Sequence, residues 1–219
     1  LSSRPAVLDS VLTPDFFDSL PSICEMKEEL DCYLARAEYI EDTLNYGRRW
    51  AHDRRFQVGV QQLRGLIPPA EAATAHSNIA ETAVDCLFKP IQLKFNETHG
   101  VIKSSDVAVL ALGKLGSREM TASSDLDLVI IYKAPINSAG SNGTKPLSVS
   151  QYFARLSQRL INALTALTSE GAMFKVDMRL RPSGNAGPIA TTIEAFKSYH
   201  ADGAWTWEHM ALTRARVIS

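Results

Sequence analysis

Hydrophobic positions recur every three to four residues through most of the first hundred residues, which is the period of an amphipathic α-helix. One such stripe lies within residues 25–49 and consists of Leu30, Tyr33, Leu34, Ala37, Ile40 and Leu44. The helical pattern continues over residues 50–66 and stops at Pro68-Pro69, because a proline pair cannot continue a helix. It resumes over residues 70–99, where Pro90 predicts a kink or a break.

The pattern changes after Ser104, where short apolar runs replace the helical period. Residues 107–112 and 126–132 are typical of buried strands, and the alternating stretch 172–181 predicts a third strand. Further helices are predicted over 148–167, 192–199 and 204–216. The sequence therefore predicts an α+β protein with a helical lead-in subdomain over residues 1–104 and a domain with a sheet over residues 105–219.

Length and composition exclude several classes of protein. A chain of 219 residues that is 45% hydrophobic and 21% charged can bury a core and is not disordered as a whole. No apolar run approaches the ~20 residues of a membrane-spanning helix, so no membrane partner is expected. Three scattered cysteines do not suit a disulfide framework or a zinc cluster, which favours the cytoplasm. The start without Met and the end beside a helical stretch favour a fragment of a longer protein.

Charge is distributed unevenly between the two segments. Residues 1–104 carry 11 basic and 15 acidic residues, whereas residues 105–219 carry 12 basic and 9 acidic residues. The second segment is therefore the better place for an anionic ligand, although so small an asymmetry also arises by chance. A net charge of −1 speaks against a nucleic-acid partner.

Three aspartates on two predicted strands are the strongest candidates for chemistry. Asp125 and Asp127 alternate with leucines, so both carboxylates project to the same side of the second strand. Asp177 lies on the polar face of the third strand with Arg179 and Arg181. If the strands are neighbours, three carboxylates converge and require protons or divalent cations to neutralise them. Mg²⁺ prefers such oxygen ligands, and two ions can hold both oxygens of a phosphoryl-type transfer.

An isolated Asp-x-Asp pair more often only solvates the end of a strand. Asp177, with two arginines on its own face, favours the functional interpretation. The stretch Gly113-Lys-Leu-Gly-Ser-Arg-Glu119 follows the first strand and predicts a turn that opens a short helix. Glycine lets the backbone approach a ligand, and N–H groups at a helix start bind phosphate. This stretch matches neither a Walker loop nor the dinucleotide fingerprint, and similar turns are often purely structural.

The last block, residues 204–216, predicts a helix whose tryptophans, Trp205 and Trp207, anchor it in the core. His209 is expected at the surface or in a hydrogen bond. Arg214 and Arg216 would lie about 200° apart on such a helix, so they would not easily face one ligand together.

A turn of small residues, then Asp-x-Asp, then an acid on a later strand is the layout of the polymerase-β-like nucleotidyltransferases. Four blocks resemble one family within that superfamily, the bifunctional glutamine synthetase adenylyltransferase/deadenylylases. These blocks are residues 113–119, 123–128, 176–184 and 205–217. The helical part from Arg4-Pro-Ala-Val-Leu-Asp9 to Leu66 is similar to the family's lead-in, though less specifically. Ser117 departs from the family, which often has a second glycine there.

The resemblance implies a polymerase-β-like mixed sheet with flanking helices, ATP as substrate, and Mg²⁺, with Mn²⁺ as the alternative. Asp125, Asp127 and Asp177 would be the catalytic metal ligands. Gly116 and Ser117 would hold the leaving phosphates through backbone N–H groups. The further candidates for nucleotide binding are Lys114, Ser124, Arg179 and Arg181, and one of the charged residues would alternatively pair with an aspartate.

The family carries two homologous domains. One adds AMP from ATP to a tyrosine of glutamine synthetase, and the other removes it by phosphorolysis. The blocks around Ser183 and Trp207 resemble the adenylylating domain, so glutamine synthetase is the expected partner, with control by glutamine and by a PII-type signal protein. The alternatives are the deadenylylating domain, a degenerate nucleotide sensor, or a nucleotidyltransferase that acts on an RNA end or an antibiotic.

Overall fold

Three helices account for most of the first hundred residues in the computed structural model, which describes residues 14–168 and 170–219. They are α1 (Ile23–Leu34), α2 (Ile40–Leu63) and α3 (Pro69–His99), and a 3₁₀ turn at Pro14–Phe17 precedes them. The helical lead-in is confirmed over the part that is described. The block from Arg4 to Asp9 lies outside the described residues.

The single stripe predicted over residues 25–49 is divided between α1 and α2. Leu34 on α1 and Ile40 and Leu44 on α2 pack against the same core, so the hydrophobic period continues across the break. The second helix starts where the Asp42 carboxylate accepts the backbone N–H of Tyr39 at 3.2 Å. The hydrophobic period alone therefore does not reveal the break between α1 and α2.

The prolines at 68–69 mark a helix boundary, as predicted, whereas Pro90 does not. Pro69 occupies the first turn of α3, where its missing N–H costs nothing. Pro90 lies inside α3 and does not interrupt it, so a break there was wrong. Ile91 and Phe95, both buried, hold the helix on the core beyond the proline.

A mixed sheet follows the helices. Its strands are β1 (Asp106–Ala111), β2 (Leu126–Lys133), β3 (Val176–Asp177), β4 (Ala190–Thr192) and β5 (Arg216–Val217). The order is β3-β2-β1-β5, and β4 also pairs with β2. β1 is antiparallel to β2 and β5, whereas β3 and β4 run parallel to β2. The α+β prediction with a mixed sheet and flanking helices is therefore confirmed.

Within the described residues, the remaining α-helices are α4 (Gly113–Gly116), α5 (Val149–Thr165), α6 (Ile193–Asp202) and α7 (Thr206–Leu212). The third strand was predicted over residues 172–181 but pairs only at Val176–Asp177, because the chain turns where the N–H of Arg181 bonds to the carbonyl of Met178. The last helix was predicted over residues 204–216 but ends at Leu212. Residues Arg216–Val217 instead extend the free edge of β1.

Alternate residues of β1 and β2 face opposite sides of the sheet, as the period of a strand requires. Leu128 and Ile130 belong to a large buried cluster that also contains side chains of α1, α2, α3 and α5. Val129 belongs to a small cluster on the other face, which α6 and α7 cover with Phe196 and Leu212. Residues on both sides of position 104 therefore share one core, and the predicted domain boundary there stays a prediction.

The tryptophans of α7 do not anchor the core. Trp205 is 72% exposed and Trp207 is 55% exposed, so that prediction was wrong. The helix is held instead by Glu208, which is buried and accepts hydrogen bonds from the Tyr199 hydroxyl and the Trp205 N–H. None of the helices in the described part of the chain is long and apolar enough to cross a membrane.

Candidate active site

The structure brings the predicted aspartates together where two parallel strands begin. Asp127 on β2 is the register partner of Asp177 on β3, so these side chains lie next to each other on one face of the sheet. Asp125 lies immediately before β2. The backbone N–H of Leu126 donates to the carbonyl of Lys175 at 2.8 Å and ties the two strand starts together.

The carboxylates influence one another electrostatically. Burial raises the pKa of the half-buried Asp127, and the negative charges of Asp177 and Asp125 raise it further. The positive charges of Arg179 and Lys114 oppose this rise. A carboxylate held among like charges gains from any cation that approaches it. The cluster is therefore a place where a cation or a bound proton stabilises the folded protein.

Arg179 supplies one such positive charge. Its guanidinium forms an ion pair with Asp177 at 2.6 Å, and its backbone N–H donates to the same carboxylate at 2.8 Å. These hydrogen bonds are the main reason why the pKa of Asp177 is lowered. The side chain of Arg179 is otherwise 75% exposed. The predicted alternative that a charged candidate pairs with an aspartate is confirmed for Arg179.

The glycine-rich turn lies directly against the acid cluster. Gly113 has φ +52°, and a Cβ atom there would lie 2.1 Å from Oδ2 of Asp127. The N–H of Leu112 donates to the carbonyl of Asp127 at 2.9 Å. Glycine at 113 thus permits both a left-handed backbone and a close approach of the turn to the carboxylate.

The amide groups proposed to bind phosphate have partners inside the turn. The N–H groups of Gly116 and Ser117 donate to the carbonyls of Leu112 and Gly113 at 2.8 and 3.1 Å. The Ser117 hydroxyl donates to Glu119 at 2.8 Å. The assignment of these two residues to the leaving phosphates stays a prediction, and the exposed Lys114 is the candidate in this turn whose charge acts on Asp127.

The other two candidates bind backbone. The Ser124 hydroxyl accepts the N–H of Thr121 at 3.0 Å and shapes the loop before Asp125. The Arg181 guanidinium donates to the carbonyl of Met178 at 2.7 Å and holds the turn after β3. Its charge adds slightly to the lowered pKa of Asp177. Both residues lie next to the acids in sequence and organise the segments that carry them.

Arg55, which the sequence analysis did not single out, joins the two segments that lead into the acids. Its guanidinium donates to the carbonyl of Met173 at 3.0 Å and to the carbonyl of Ala122. It also lies over the ring of Phe174, with its central carbon 5.2 Å from the ring centre. Nothing local in the helical sequence of α2 marks this arginine, because its partners are more than 60 residues away.

A second arginine reaches the turn from β5. Arg216 was predicted to lie on a helix with Arg214, but it lies on a strand and its guanidinium contacts the turn and α3. The helical geometry assumed for the two arginines was therefore wrong. A Cβ atom on Gly116 would lie 2.1 Å from the carbonyl oxygen of Arg214, so the turn packs directly on the backbone before β5.

The chemistry of the donor set suits a hard divalent cation, because carboxylate oxygens are the ligands that Mg²⁺ prefers. Within residues 14–168 and 170–219, no group of three or more His, Cys, Asp or Glu side chains is arranged to hold a metal ion. The Asp177 carboxylate accepts a hydrogen bond from the Arg179 guanidinium at 2.6 Å. A metal assignment to Asp125, Asp127 and Asp177 is accordingly a proposal.

A mixed sheet with a glycine turn after its first strand and an acid pair opening its second is consistent with a nucleotidyltransferase-like fold. A model of the glutamate-ammonia ligase adenylyltransferase family matches residues 1–219, and the chain belongs to that family. This confirms the resemblance drawn from the four sequence blocks.

Three relatives illustrate the match, each named a bifunctional glutamine synthetase adenylyltransferase/adenylyl-removing enzyme. The chain is 46% identical over 218 residues to that of Brucella suis, 44% over 220 residues to that of Xanthobacter autotrophicus, and 45% over 219 residues to that of Rhodopseudomonas palustris. Each match covers 100% of this chain and 22% of the relative. The chain thus spans about a fifth of the length of these curated relatives.

Proposed function

We propose that this chain is a nucleotidyltransferase domain that moves AMP from ATP to a tyrosine of glutamine synthetase and releases pyrophosphate. The observation that carries the proposal is the register pairing of Asp127 with Asp177 directly beside the Gly113 turn. The acceptor is inferred from the relatives, which are named glutamine synthetase adenylyltransferase/adenylyl-removing enzymes. With such an acceptor we expect the reaction to occur in the cytoplasm.

Asp125, Asp127 and Asp177 are the residues that would hold Mg²⁺, with Mn²⁺ as the alternative. When bound, such a cation neutralises phosphate charge and lowers the pKa of a hydroxyl near it. A tyrosine hydroxyl has a pKa of about 10 in water and is a poor nucleophile at neutral pH without such help. Its oxygen forms a bond to the α-phosphorus of ATP while the bond to pyrophosphate breaks.

In this proposal, positive side chains around the acid cluster would offset the negative charge of the ATP phosphates. Lys114 and Arg179, which already act on the carboxylates through their charges, are the residues that would do so. The Gly113 turn keeps side-chain atoms away from Asp127, so that ATP phosphates can approach the acids. Ser124, Arg55 and Arg181 hold the segments from which the acids project.

The second candidate is removal of AMP from glutamine synthetase by phosphorolysis. The relatives carry both activities in one name, and the chain spans only about a fifth of them. The same three acids would serve either direction. We favour addition because residues 181–184 and 207–216 resemble the adenylylating domain. Control by glutamine and by a PII-type signal protein belongs to the proposal for the complete enzyme.

Two assays on the complete enzyme with only this domain active separate the directions. The first supplies ATP labelled at the α-phosphate together with glutamine synthetase, and we expect label on the tyrosine. The second supplies adenylylated glutamine synthetase with phosphate, and we expect no ADP. ADP in the second assay without label in the first would assign the domain to removal. No label in the first assay and no ADP in the second would refute both candidates.

A further inference from the structure

The Arg216 guanidinium makes three different contacts, and all of them are internal to the protein. Its Nε donates to the carbonyl of Gly116 at 2.8 Å, and its Nη2 donates to the carbonyl of Leu115 at 3.1 Å. Its Nη1 donates to Oε2 of Glu81 at 2.9 Å. The side chain is 27% exposed. The planar fork thus links the end of α4 to α3.

Glu81 anchors the Arg216 guanidinium to α3. It lies in the middle of α3 and its side chain is only 10% exposed. A buried carboxylate is costly unless a cation and hydrogen bonds compensate it. Arg216 provides the short ion pair at 2.9 Å, and Arg118 adds a longer one at 3.7 Å. Because α3 is packed into the core along most of its length, Glu81 has a well-defined position.

The turn that Arg216 holds is short. Helix α4 has four residues, and of its last carbonyls that of Leu115 accepts the backbone N–H of Arg118 at 3.3 Å. Arg216 supplies donors to two of them, at Leu115 and Gly116. The opposite end of the turn, Gly113, lies against the carboxylate of Asp127. Because the N–H groups of Gly116 and Ser117 donate to the carbonyls of Leu112 and Gly113, a shift at the Arg216 end would be transmitted to Gly113 beside the acid cluster.

We propose that Glu81 and Arg216 form a positioning pair, which fixes the glycine turn against Asp127 and so sets the affinity of the site for the phosphates of ATP. The inference rests on the proposed function, since it names residues that act on the same site. Neither residue is proposed to touch ATP. Arg216 acts through the turn, and Glu81 acts through Arg216.

The test compares Arg216→Lys and Glu81→Gln with wild type in the full-length protein. Lysine keeps the charge but loses the fork, and glutamine keeps the shape of Glu81 but loses its charge. We expect the KM for ATP to rise about ten- to hundredfold, with kcat changed about threefold or less, since misplacement by about 1 Å costs up to a hundredfold. Because both variants break the contact between Glu81 and Arg216, and Glu81 acts through Arg216, the double variant should resemble Arg216→Lys rather than multiply the two effects.

The matched control is Asp85→Asn. Asp85 lies on α3, as Glu81 does, and the substitution breaks its 2.5 Å ion pair with Lys27 of α1. It should leave the KM for ATP unchanged. If the two test variants lower the unfolding temperature but keep the wild-type KM, or if only their kcat falls, the pair is merely structural and the proposal is wrong.

Direct calorimetric binding of ATP with Mg²⁺ separates this proposal from the proposed function. Weaker ATP binding by Arg216→Lys supports the positioning pair even if wild type transfers no AMP to glutamine synthetase, in which case the acceptor assignment alone fails. Wild type that transfers AMP, with equal ATP binding by wild type and both variants, overturns the positioning pair alone. Absence of ATP binding by wild type overturns both.

Discussion

The acid cluster and helix α3 treat buried charge in opposite ways. On α3, Glu81 is compensated by Arg216, and the buried His76 avoids its charge, because burial and the nearby Arg55 lower its pKa to about 4. In the acid cluster, Asp127 is half-buried beside two further carboxylates, and its pKa is raised. The helix is thus organised for stability, whereas the cluster retains repulsion that stability alone would remove. Such repulsion, only partly offset by Arg179 and Lys114, is typical of a functional site.

The sharpest test of this contrast is Asp127→Asn. The substitution removes a charge at nearly constant volume, so we expect AMP transfer to fall about a thousandfold or more, which corresponds to several kcal/mol of lost stabilisation. The unfolding temperature should rise, because like charges no longer repel. Transfer rates and thermal unfolding measure the two effects. Asp202→Asn, at the exposed end of α6, is the control, and near-normal transfer by Asp127→Asn would refute the metal assignment.

Leu87→Ala tests the other region. Leu87 lies on α3 and is fully buried, so the cavity should lower the free energy of unfolding by about 2–5 kcal/mol. The KM for ATP of the folded protein should not change. Urea unfolding checks the first statement and initial-rate kinetics the second. Leu93→Ala on the exposed side of the same helix should change stability by less than about 0.5 kcal/mol, and an equal loss there would contradict the burial argument.

Gly113→Ala tests the contact between the turn and the acids. The added Cβ would lie 2.1 Å from Asp127 Oδ2, and φ +52° is strained for alanine. The carboxylate or the turn has to shift, so we expect transfer to fall about a hundredfold. Gly59→Ala in α2 is the matched control, since no atom lies within 4 Å of its Cβ position and alanine favours a helix. Wild-type transfer by Gly113→Ala would show that the turn accommodates the added Cβ without disturbing Asp127, and would contradict this prediction.

The smallest effect concerns pH. The pKa of His76 is about 4 when folded and about 6.5 when unfolded, so its neutral form contributes stability that is fully present above about pH 6.5. That contribution is lost as the pH falls towards 4, because the unfolded chain binds the proton first. Between about pH 7 and pH 4.5 the loss is roughly 2–3 kcal/mol. Chemical unfolding of His76→Gln should show a correspondingly flatter pH dependence, with His209→Gln as the exposed control. An unchanged slope in His76→Gln would contradict burial of a neutral ring.

The features that sequence predicts well are local. The alternation of Asp125 and Asp127 with leucines gives both strand β2 and the orientation of its acids. The glycine turn and the capping of α6 by Thr192, whose hydroxyl accepts the N–H of Ala195, are equally local. These features depend on neighbouring residues and on the period of one element, so the printed sequence contains them.

The features that sequence misses depend on distant partners. Arg216 and Glu81 are separated by 135 positions, and Arg55 and Met173 by 118 positions. Strand β5 forms by pairing with the edge of β1. The helical pattern that ends at Arg216 does not reveal this pairing. Trp207 is exposed because Glu208 holds its helix through hydrogen bonds. The hydrophobic period shows which residues are apolar, but not which distant residues they contact in the fold.

If the acids bind a metal ion as proposed, that ion would compete with Arg179 for the carboxylate of Asp177. The two residues are separated by a single position, so the guanidinium has a high effective concentration at the carboxylate. A metal ion bound by the acids would have to displace it, and the displaced arginine would stay beside the acids on its short tether. Metal binding would then free a positive group for the phosphates of ATP, so that the metal ion and ATP would each favour the binding of the other.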